Sequence, residues 1–182
     1  MLTGRMEMPD GRVRLLSGST ADLTALTAGK RSLLYFLRDS ACILCMHAVS
    51  NILEYVPLLA KQGIQLILCV NSNVQAAQEN LGPVPGIFVI CDETGALYRD
   101  FGVFPAPNQT AMEGPCTLQA IAQARTAGFV HGIDSGNPLQ LPAVFLIGPD
   151  CTVRNSYYGK TAEDTPLPGD CLRRFSYQSP IL

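Results

Sequence analysis

Cys42-Ile43-Leu44-Cys45 lies between two segments of different period, and that junction restricts the fold more than any other part of the chain. Before it, Leu33-Leu34-Tyr35-Phe36-Leu37 is a short apolar and aromatic run that reads as a buried strand. After it, Val49, Ile52, Leu53, Val56 and Leu59 recur at helical spacing as far as Gly63, which predicts one long helix from about Ile43. Both thiols therefore fall where the first unpaired N–H groups of a helix point outward. That end of a helix favours a thiolate, the reactive form of cysteine. A Cys-x-x-Cys in this context points to a redox dithiol. The alternative, two ordinary core thiols, is the weaker account, because core cysteines rarely take this spacing directly before a helix.

At 182 residues, 47% of them hydrophobic and 15% charged, the chain can bury a core without staples and reads as a single domain over residues 1–182. A net charge of −2, with no basic run and no aromatic-plus-arginine patch, argues against nucleic acid. No apolar stretch approaches membrane-spanning length. Met1 to Gly18 carries Arg5, Glu7, Asp10, Arg12 and Arg14 without an apolar centre, so no signal peptide is expected and a cytoplasmic location is.

Seven cysteines is an odd count for a secreted disulfide framework. Cys69, inside Ile64 to Val70, and Cys91, ending Ile87 to Ile90, read as small buried hydrophobes. Cys116, Cys151 and Cys171 fall in loop-like or terminal contexts. With His131 they are the further ligands that zinc at Cys42 and Cys45 would need, but they show no paired spacing, so no metal is expected. His47 misses the haem-attachment spacing because Met46 intervenes, and reads as a helix-surface residue.

Strand and helix patterns alternate, which predicts an α/β domain with a mainly parallel sheet. Val13 to Leu16 reads as an edge strand, and Ser19 to Leu26 as a short helix or turn. A strand at Ile64 follows the long helix, and Asn73 caps a short helix through Glu79. Gly82-Pro83-Val84-Pro85-Gly86 then breaks the chain before the strand at Ile87. Asp92 to Gly95 turns into a helical Ala96 to Phe101. Phe104 to Gln140 is the least regular stretch and reads as an insertion or flap over one face, with one helix marked by Leu118, Ile121, Ala122 and Arg125 and ending at Gly128. Ala143 to Ile147 and Thr152 to Tyr158 form a hairpin, with Tyr157 and Tyr158 on an outer strand, and a last helix covers about Gly169 to Phe175.

Taken in order, these segments resemble the thioredoxin-like fold, and most closely its peroxiredoxin-like (alkyl hydroperoxide reductase/thiol-specific antioxidant) branch. Leu34 to Cys45 is similar to the strand and active-site loop, and Pro85 to Gly95 with Phe101-Gly102-Val103 to the middle strand and its Asp-containing turn. Leu141 to Ile147 is similar to the strand entered through a cis proline. Tyr158-Gly159-Lys160 with Ala162, Asp164 and Pro166 is similar to a tail in peroxiredoxin-like proteins. The resemblance implies a three-layer sandwich with a central mixed sheet and an insertion before the cis-proline strand. It also implies a thiol oxidoreductase without a cofactor. The substrate would be a hydroperoxide or a disulfide, a thioredoxin- or glutathione-type reductant would restore the dithiol, and a homodimer is possible.

Family loops carry Pro-x-x-x-Thr/Ser-x-x-Cys. Aligned there, Cys45 falls at the peroxide-attacking position, Cys42 replaces the hydroxyl residue and Arg38 the proline, while Gln140-Leu141-Pro142 stands where a partner arginine is expected. Aligned on thioredoxin instead, Cys42 attacks and Cys45 resolves. Either order makes Cys42 and Cys45 the redox-active pair, with Cys116 and Cys171 as conceivable distant resolvers. Arg38 is a candidate for stabilising the thiolate, although Arg38 and Asp39 also read as solvated loop charges. In the thioredoxin-like reading a cis Leu141–Pro142 bond packs against the pair and frees nearby backbone for a substrate segment, whereas a proline starting a strand is also common at sheet edges. A peroxidase is the leading reading. A disulfide reductase with little peroxidase activity and a non-enzymatic redox-sensing or binding module are the alternatives. A half-exposed Cys42 over a buried Cys45 would suit exchange, and a pocket centred on Cys45 would suit peroxide.

Overall fold

A computed structural model describes residues 6–178. The strands are β1 (Met6–Glu7), β2 (Arg12–Leu15), β3 (Thr20–Asp22), β4 (Arg31–Leu37), β5 (Ile64–Val70), β6 (Phe88–Cys91), β7 (Ala143–Ile147) and β8 (Thr152–Tyr158). They form one sheet in the order β1-β8-β7-β4-β5-β6-β2-β3. The helices are α1 (Leu23–Thr27), α2 (Ile43–Leu53), α3 (Val56–Lys61), α4 (Val74–Leu81), α5 (Ala96–Asp100), α6 (Gln109–Met112), α7 (Thr117–Thr126) and α8 (Pro168–Gln178).

Both faces of β4 are covered, which is why its sequence is an unbroken apolar run rather than an alternating one. Leu33, Tyr35 and Leu37 face a core built with Val49 and Ile52 of α2, Leu59 of α3, Ala77 of α4 and Phe175 of α8. Leu34 and Phe36 face the opposite core, against Leu23 of α1 and Leu97, Tyr98 and Phe101 around α5. Phe36 meets Tyr98 edge-on with ring centres 4.9 Å apart, an arrangement that matches the ring quadrupoles. The three-layer sandwich is therefore present.

Several local expectations change. The sheet is mixed, as the family resemblance implies and unlike the mainly parallel sheet that the strand–helix alternation alone predicts: only β4–β5 and β5–β6 run parallel, because β7 and β8 return as a hairpin and β2 enters antiparallel to β6. Val13 is not on an edge strand, since β3 pairs outside β2. The single helix expected from Ile43 to Gly63 is two. Pro57 has no N–H to donate back to Leu53, so α2 closes through a tight Tyr55 N–H to Ile52 carbonyl bond of 3.0 Å and α3 restarts with proline in its first turn. The Asn73 cap is as read, its side chain accepting the Ala76 N–H at 2.9 Å. The insertion helix exists, but Leu118 is 82% exposed, while Ala120, Ile121 and Ala124 turn inward.

The Leu141–Pro142 bond is trans, as is every peptide bond of the described residues, which corrects the cis expectation. The approach to β7 is already held in an extended path: Gln140 Nε2 donates to the Val103 and Leu141 carbonyls at 3.2 Å each, and Arg38 holds the carbonyls of Pro138 and Gln140. Nothing there opposes the intrinsically favoured trans form.

The insertion returns to the sheet as a strap over the carboxyl ends of β4 and β5. Asn137 N–H donates to Asn71 Oδ1 at 2.7 Å, and Ile133 N–H to Asn80 Oδ1 at 2.7 Å. Gly136 passes so close that a Cβ there would lie 1.7 Å from the Asn71 carbonyl oxygen. Gly136→Ala must displace the strap, and we expect it to cost about 1–3 kcal/mol, the range for overpacking with a broken buried hydrogen bond. Urea unfolding should show a lower midpoint at unchanged slope, with faster amide exchange confined to residues 130–140. An unchanged midpoint would mean that the strap does not depend on this contact.

Candidate active site

The site grows from the end of β4, a buried strand in the middle of the sheet between β7 and β5. Its last residue, Leu37, pairs with Val70 of β5, and the chain then leaves the sheet as Arg38-Asp39-Ser40-Ala41. Asp39 Oδ1 accepts the Ala41 N–H at 2.5 Å, and the Ser40 N–H donates to Ser72 Oγ at 2.9 Å, so the turn is fixed before α2 begins. Arg38 and Asp39 are only 7% and 5% exposed. They are not solvated loop charges, which corrects that reading.

Cys42 is the N-cap residue of α2, with extended backbone at φ −70° and ψ 123°, and Cys45 lies on the first turn. Both are free thiols. Cys42 is half-buried, whereas Cys45 is 4% exposed. Arg38 Nη1 donates to Cys42 Sγ at 3.0 Å. The Cys42 pKa is lowered to about 6, first by the hydrogen bond from the Cys45 thiol, with the Arg38 charge adding to it against the opposing effect of burial. The side chain makes no formal capping bond, yet the N–H dipoles of Cys45 and Leu44 lower it further. Cys45 moves the other way: its bond to Cys42 and its burial push its pKa well above the usual thiol value. One thiolate is held at Cys42, and Cys45 keeps its proton.

Arg38 is the hub of this arrangement. While Nη1 reaches Cys42, Nε donates to the Gln140 carbonyl at 3.1 Å and Nη2 to the Pro138 carbonyl at 2.8 Å. A guanidinium spreads its donors over a fixed plane, so its two carbonyl bonds aim the third at sulfur. Burial raises the Asp39 pKa, opposed by the Ala41 N–H and by Arg38.

Leu141 packs in the same small apolar cluster as Cys42, Ile43 and Leu44, joined by Ala106, Met112, Ile121, Ala124 and Ala162. Pro142 points elsewhere in role: its carbonyl accepts the Gly159 N–H at 2.9 Å, and Gly159 is small because a Cβ there would sit 2.7 Å from the Pro142 ring. The structure thus brings together Cys42, Cys45, Arg38 and Leu141, with Pro142 one residue behind, bracing the hairpin. Cys91 and Cys171 lie in the core cluster that also holds Cys45. Cys171 is buried against the Tyr35 hydroxyl at 3.4 Å, its thiol pushed up to about 11 mainly by burial, and Cys91 is likewise pushed up to about 11.

Beside Cys42 opens a cavity of roughly 600 Å³. Arg38, Asp39, Cys42, Ile43 and Leu44 form one wall, and the insertion supplies the other with Met112, Ile121, Arg125, Phe129 and Val130. The sequence marks a helix in the insertion through Ile121 and Arg125, but not that these two residues line a cavity beside Cys42. The alternation of small and large apolar residues at Ala120, Ile121 and Ala124 was the available signal, and Leu118 obscured it by sharing their spacing while facing out.

The profile of the AhpC/TSA family matches residues 5–156. Among solved structures, the chain is similar to peroxidoxin BcpB from Mycobacterium tuberculosis at 12% identity and a TM-score of 0.69, covering 100% of both chains. It is similar to a putative thiol:disulfide interchange protein DsbE from Chlorobium tepidum at 19% identity and a TM-score of 0.61, covering 98% of both. A reduced 2-Cys peroxiredoxin from Plasmodium vivax matches at 14% identity and a TM-score of 0.66, over 97% of this chain and 81% of that one. No curated protein matches the sequence. Among the described residues no helix is long and apolar enough to cross a membrane.

Cys42 should react with iodoacetamide at a rate that rises through pH 6 and levels off above about pH 7, because the thiolate is the nucleophile and its pKa is about 6. Arg38→Met removes a cation 3.0 Å from the sulfur and should move that profile to higher pH. An unchanged profile in Arg38→Met would show that the guanidinium does not stabilise the thiolate.

Proposed function

Since the chain belongs to the AhpC/TSA family and is a thiol oxidoreductase, we propose that it reduces disulfides by thiol–disulfide exchange, with Cys42 attacking and Cys45 resolving. The observation that carries this reading is the asymmetry of the pair: a half-exposed Cys42 with a pKa of about 6 over a buried Cys45 whose pKa is raised. The likeness to a putative thiol:disulfide interchange protein along the whole chain is in keeping with it.

In the first step the Cys42 thiolate attacks one sulfur of the substrate disulfide. A Cys42–substrate disulfide forms and the other substrate half leaves as a thiolate. Conversion of the Cys42 thiolate to a disulfide removes both the hydrogen bond and the charge that, together with burial, hold up the Cys45 pKa, so the second thiol becomes easier to deprotonate at the moment it is needed. Cys45 gives up its proton, attacks Cys42 Sγ and expels the second substrate thiolate. The protein is then the oxidised Cys42–Cys45 disulfide, and a thioredoxin- or glutathione-type thiol reductant returns it to the dithiol.

Peroxide reduction is the second reading, favoured by the cation beside the thiolate. The Cys42 thiolate would attack one peroxide oxygen and become a sulfenic acid while the other oxygen leaves, after protonation, as an alcohol or water. The Cys45 thiol would then condense with the sulfenic acid to the Cys42–Cys45 disulfide, releasing a further water. This reverses the cysteine order of the peroxiredoxin alignment, in which Cys45 attacks.

Cys45→Ser decides between them. With bis(2-hydroxyethyl) disulfide we expect it to accumulate a mixed disulfide on Cys42, visible by intact mass and peptide mapping, while wild type passes on to the Cys42–Cys45 disulfide. Oxidation of Cys42 by equimolar hydrogen peroxide should be at least tenfold slower than exchange at equal concentration. The opposite ranking, with sulfenic acid trapped on Cys42, would establish the peroxidase instead.

A further inference from the structure

We propose that the cavity beside Cys42 is a binding site for low-molecular-weight disulfides with apolar arms, and that these are its exchange substrates. The inference rests on the exchange reading for its chemistry but on independent geometry for its ligand. The cavity, roughly 600 Å³, lies within the range of about 300–1,000 Å³ typical of small-molecule sites. Its lining is mainly apolar, drawn from Ile43, Leu44, Met112, Ile121, Phe129 and Ala162. The reactive sulfur is part of its wall, so a ligand seated there is presented to Cys42 without further search.

The wall is built, not incidental. Gly132 N–H donates to the Ala41 carbonyl at 2.9 Å, Ala162 N–H to the Met112 carbonyl at 2.8 Å, and Thr117 Oγ1 to Glu163 Oε2 at 2.7 Å. The insertion is thereby fastened both to the active-site loop and to the segment after β8. His47 of α2 stacks obliquely on Phe129, ring centres 5.6 Å apart, which adds a contact between α2 and the insertion.

The same surroundings disfavour an extended peptide. A peptide disulfide docks through backbone partners beside the thiol, and here one lone pair of each nearby carbonyl is engaged, Leu141 by Gln140 Nε2 and Pro142 by the Gly159 N–H. Pro142 has no N–H to offer. Binding energy at this site comes from burying carbon. One arm of R–S–S–R fills the cavity with its sulfur against Cys42. Attack forms the Cys42–S–S–R bond and breaks the substrate S–S bond, and the departing RS⁻ leaves beside the Arg38 cation. Cys45 then loses its proton, forms the Cys42–Cys45 bond and releases the second RS⁻. The substrate has gained two electrons and the protein dithiol has lost them.

A homologous series of dialkyl disulfides from diethyl to dipentyl, with bis(2-hydroxyethyl) disulfide as the near-isostere of dipropyl disulfide, tests the proposal. For wild type, kcat/KM relative to the uncatalysed reaction with 2-mercaptoethanol should rise about fourfold per methylene added to each arm, which is about 0.8 kcal/mol for one buried methylene at 1.4 kcal/mol per tenfold. The dipropyl compound should exceed the hydroxyethyl one, and Ile121→Glu should flatten the series. A flat series in wild type, or an unaltered slope in Ile121→Glu, overturns the site. Calorimetric binding of dialkyl sulfides, which have no bond to exchange, to Cys42→Ser separates the two readings. Tightening with chain length there, alongside no turnover of any disulfide, supports the site and refutes the exchange reading. Absence of binding to the dipentyl sulfide refutes the site even where hydroxyethyl disulfide is turned over.

Discussion

A single buried guanidinium ties the chemistry of this protein to its architecture. Arg38 leaves the end of β4, donates to Cys42 Sγ, and is held from behind by the carbonyls of Pro138 and Gln140. An isolated buried charge is costly, so its location implies compensation. Here the compensation is a thiolate and two carbonyls, and each has a structural consequence. The thiolate stays at Cys42. The carbonyls anchor the end of the insertion where it enters β7. The site and the segment that walls it are thus parts of one electrostatic arrangement.

The parallel strands explain why that arrangement is rigid. β4 and β5 end side by side, and their carboxyl ends receive the strap of residues 130–140 through Asn71, Asn73 and Asn80. The Asn71 and Asn80 side chains accept the Asn137 and Ile133 N–H groups of the strap, and the Asn73 backbone N–H donates to Ser135 Oγ. Tyr98 performs a similar task beneath the loop, its hydroxyl bonding the Leu37 and Cys69 carbonyls. Local polar side chains thus do at the end of the sheet what ladder hydrogen bonds do within it.

This division also marks what the sequence alone disclosed. Strands β4, β5 and β7, the Asn73 cap and the thiol pair at a helix start were legible, because each is a local pattern of period, cap or motif. The direction of β2 and β7 was less so, since nothing local distinguishes a parallel partner from an antiparallel one. Arg38 was a candidate by position, but its burial was not legible: its partners are carbonyls a hundred residues onward, invisible in residue identity. The same holds for the cavity, whose two walls come from α2 and from the insertion. The trans geometry at Pro142 reflects the path imposed by Gln140 and Arg38, which no motif encodes.

In the proposed exchange, the order of attack rests on these long-range contacts rather than on the Cys-x-x-Cys spacing. Spacing alone makes the two thiols exchangeable, and family alignment even favours Cys45. What separates them is that the N-cap position leaves Cys42 at the cavity wall within reach of Arg38, while one turn of helix carries Cys45 into the core shared with Val49 and Tyr35. A charge at the second position would have to be desolvated, and a charge at the first is already matched. Once Cys42 is bonded to substrate, its hydrogen bond and charge no longer hold the Cys45 proton, and Cys45 lies one helical turn on from the mixed disulfide. The proposed sequence of events thus rests on the difference in burial between two residues three positions apart, with the Cys45 hydrogen bond and the Arg38 cation together favouring the charge at Cys42.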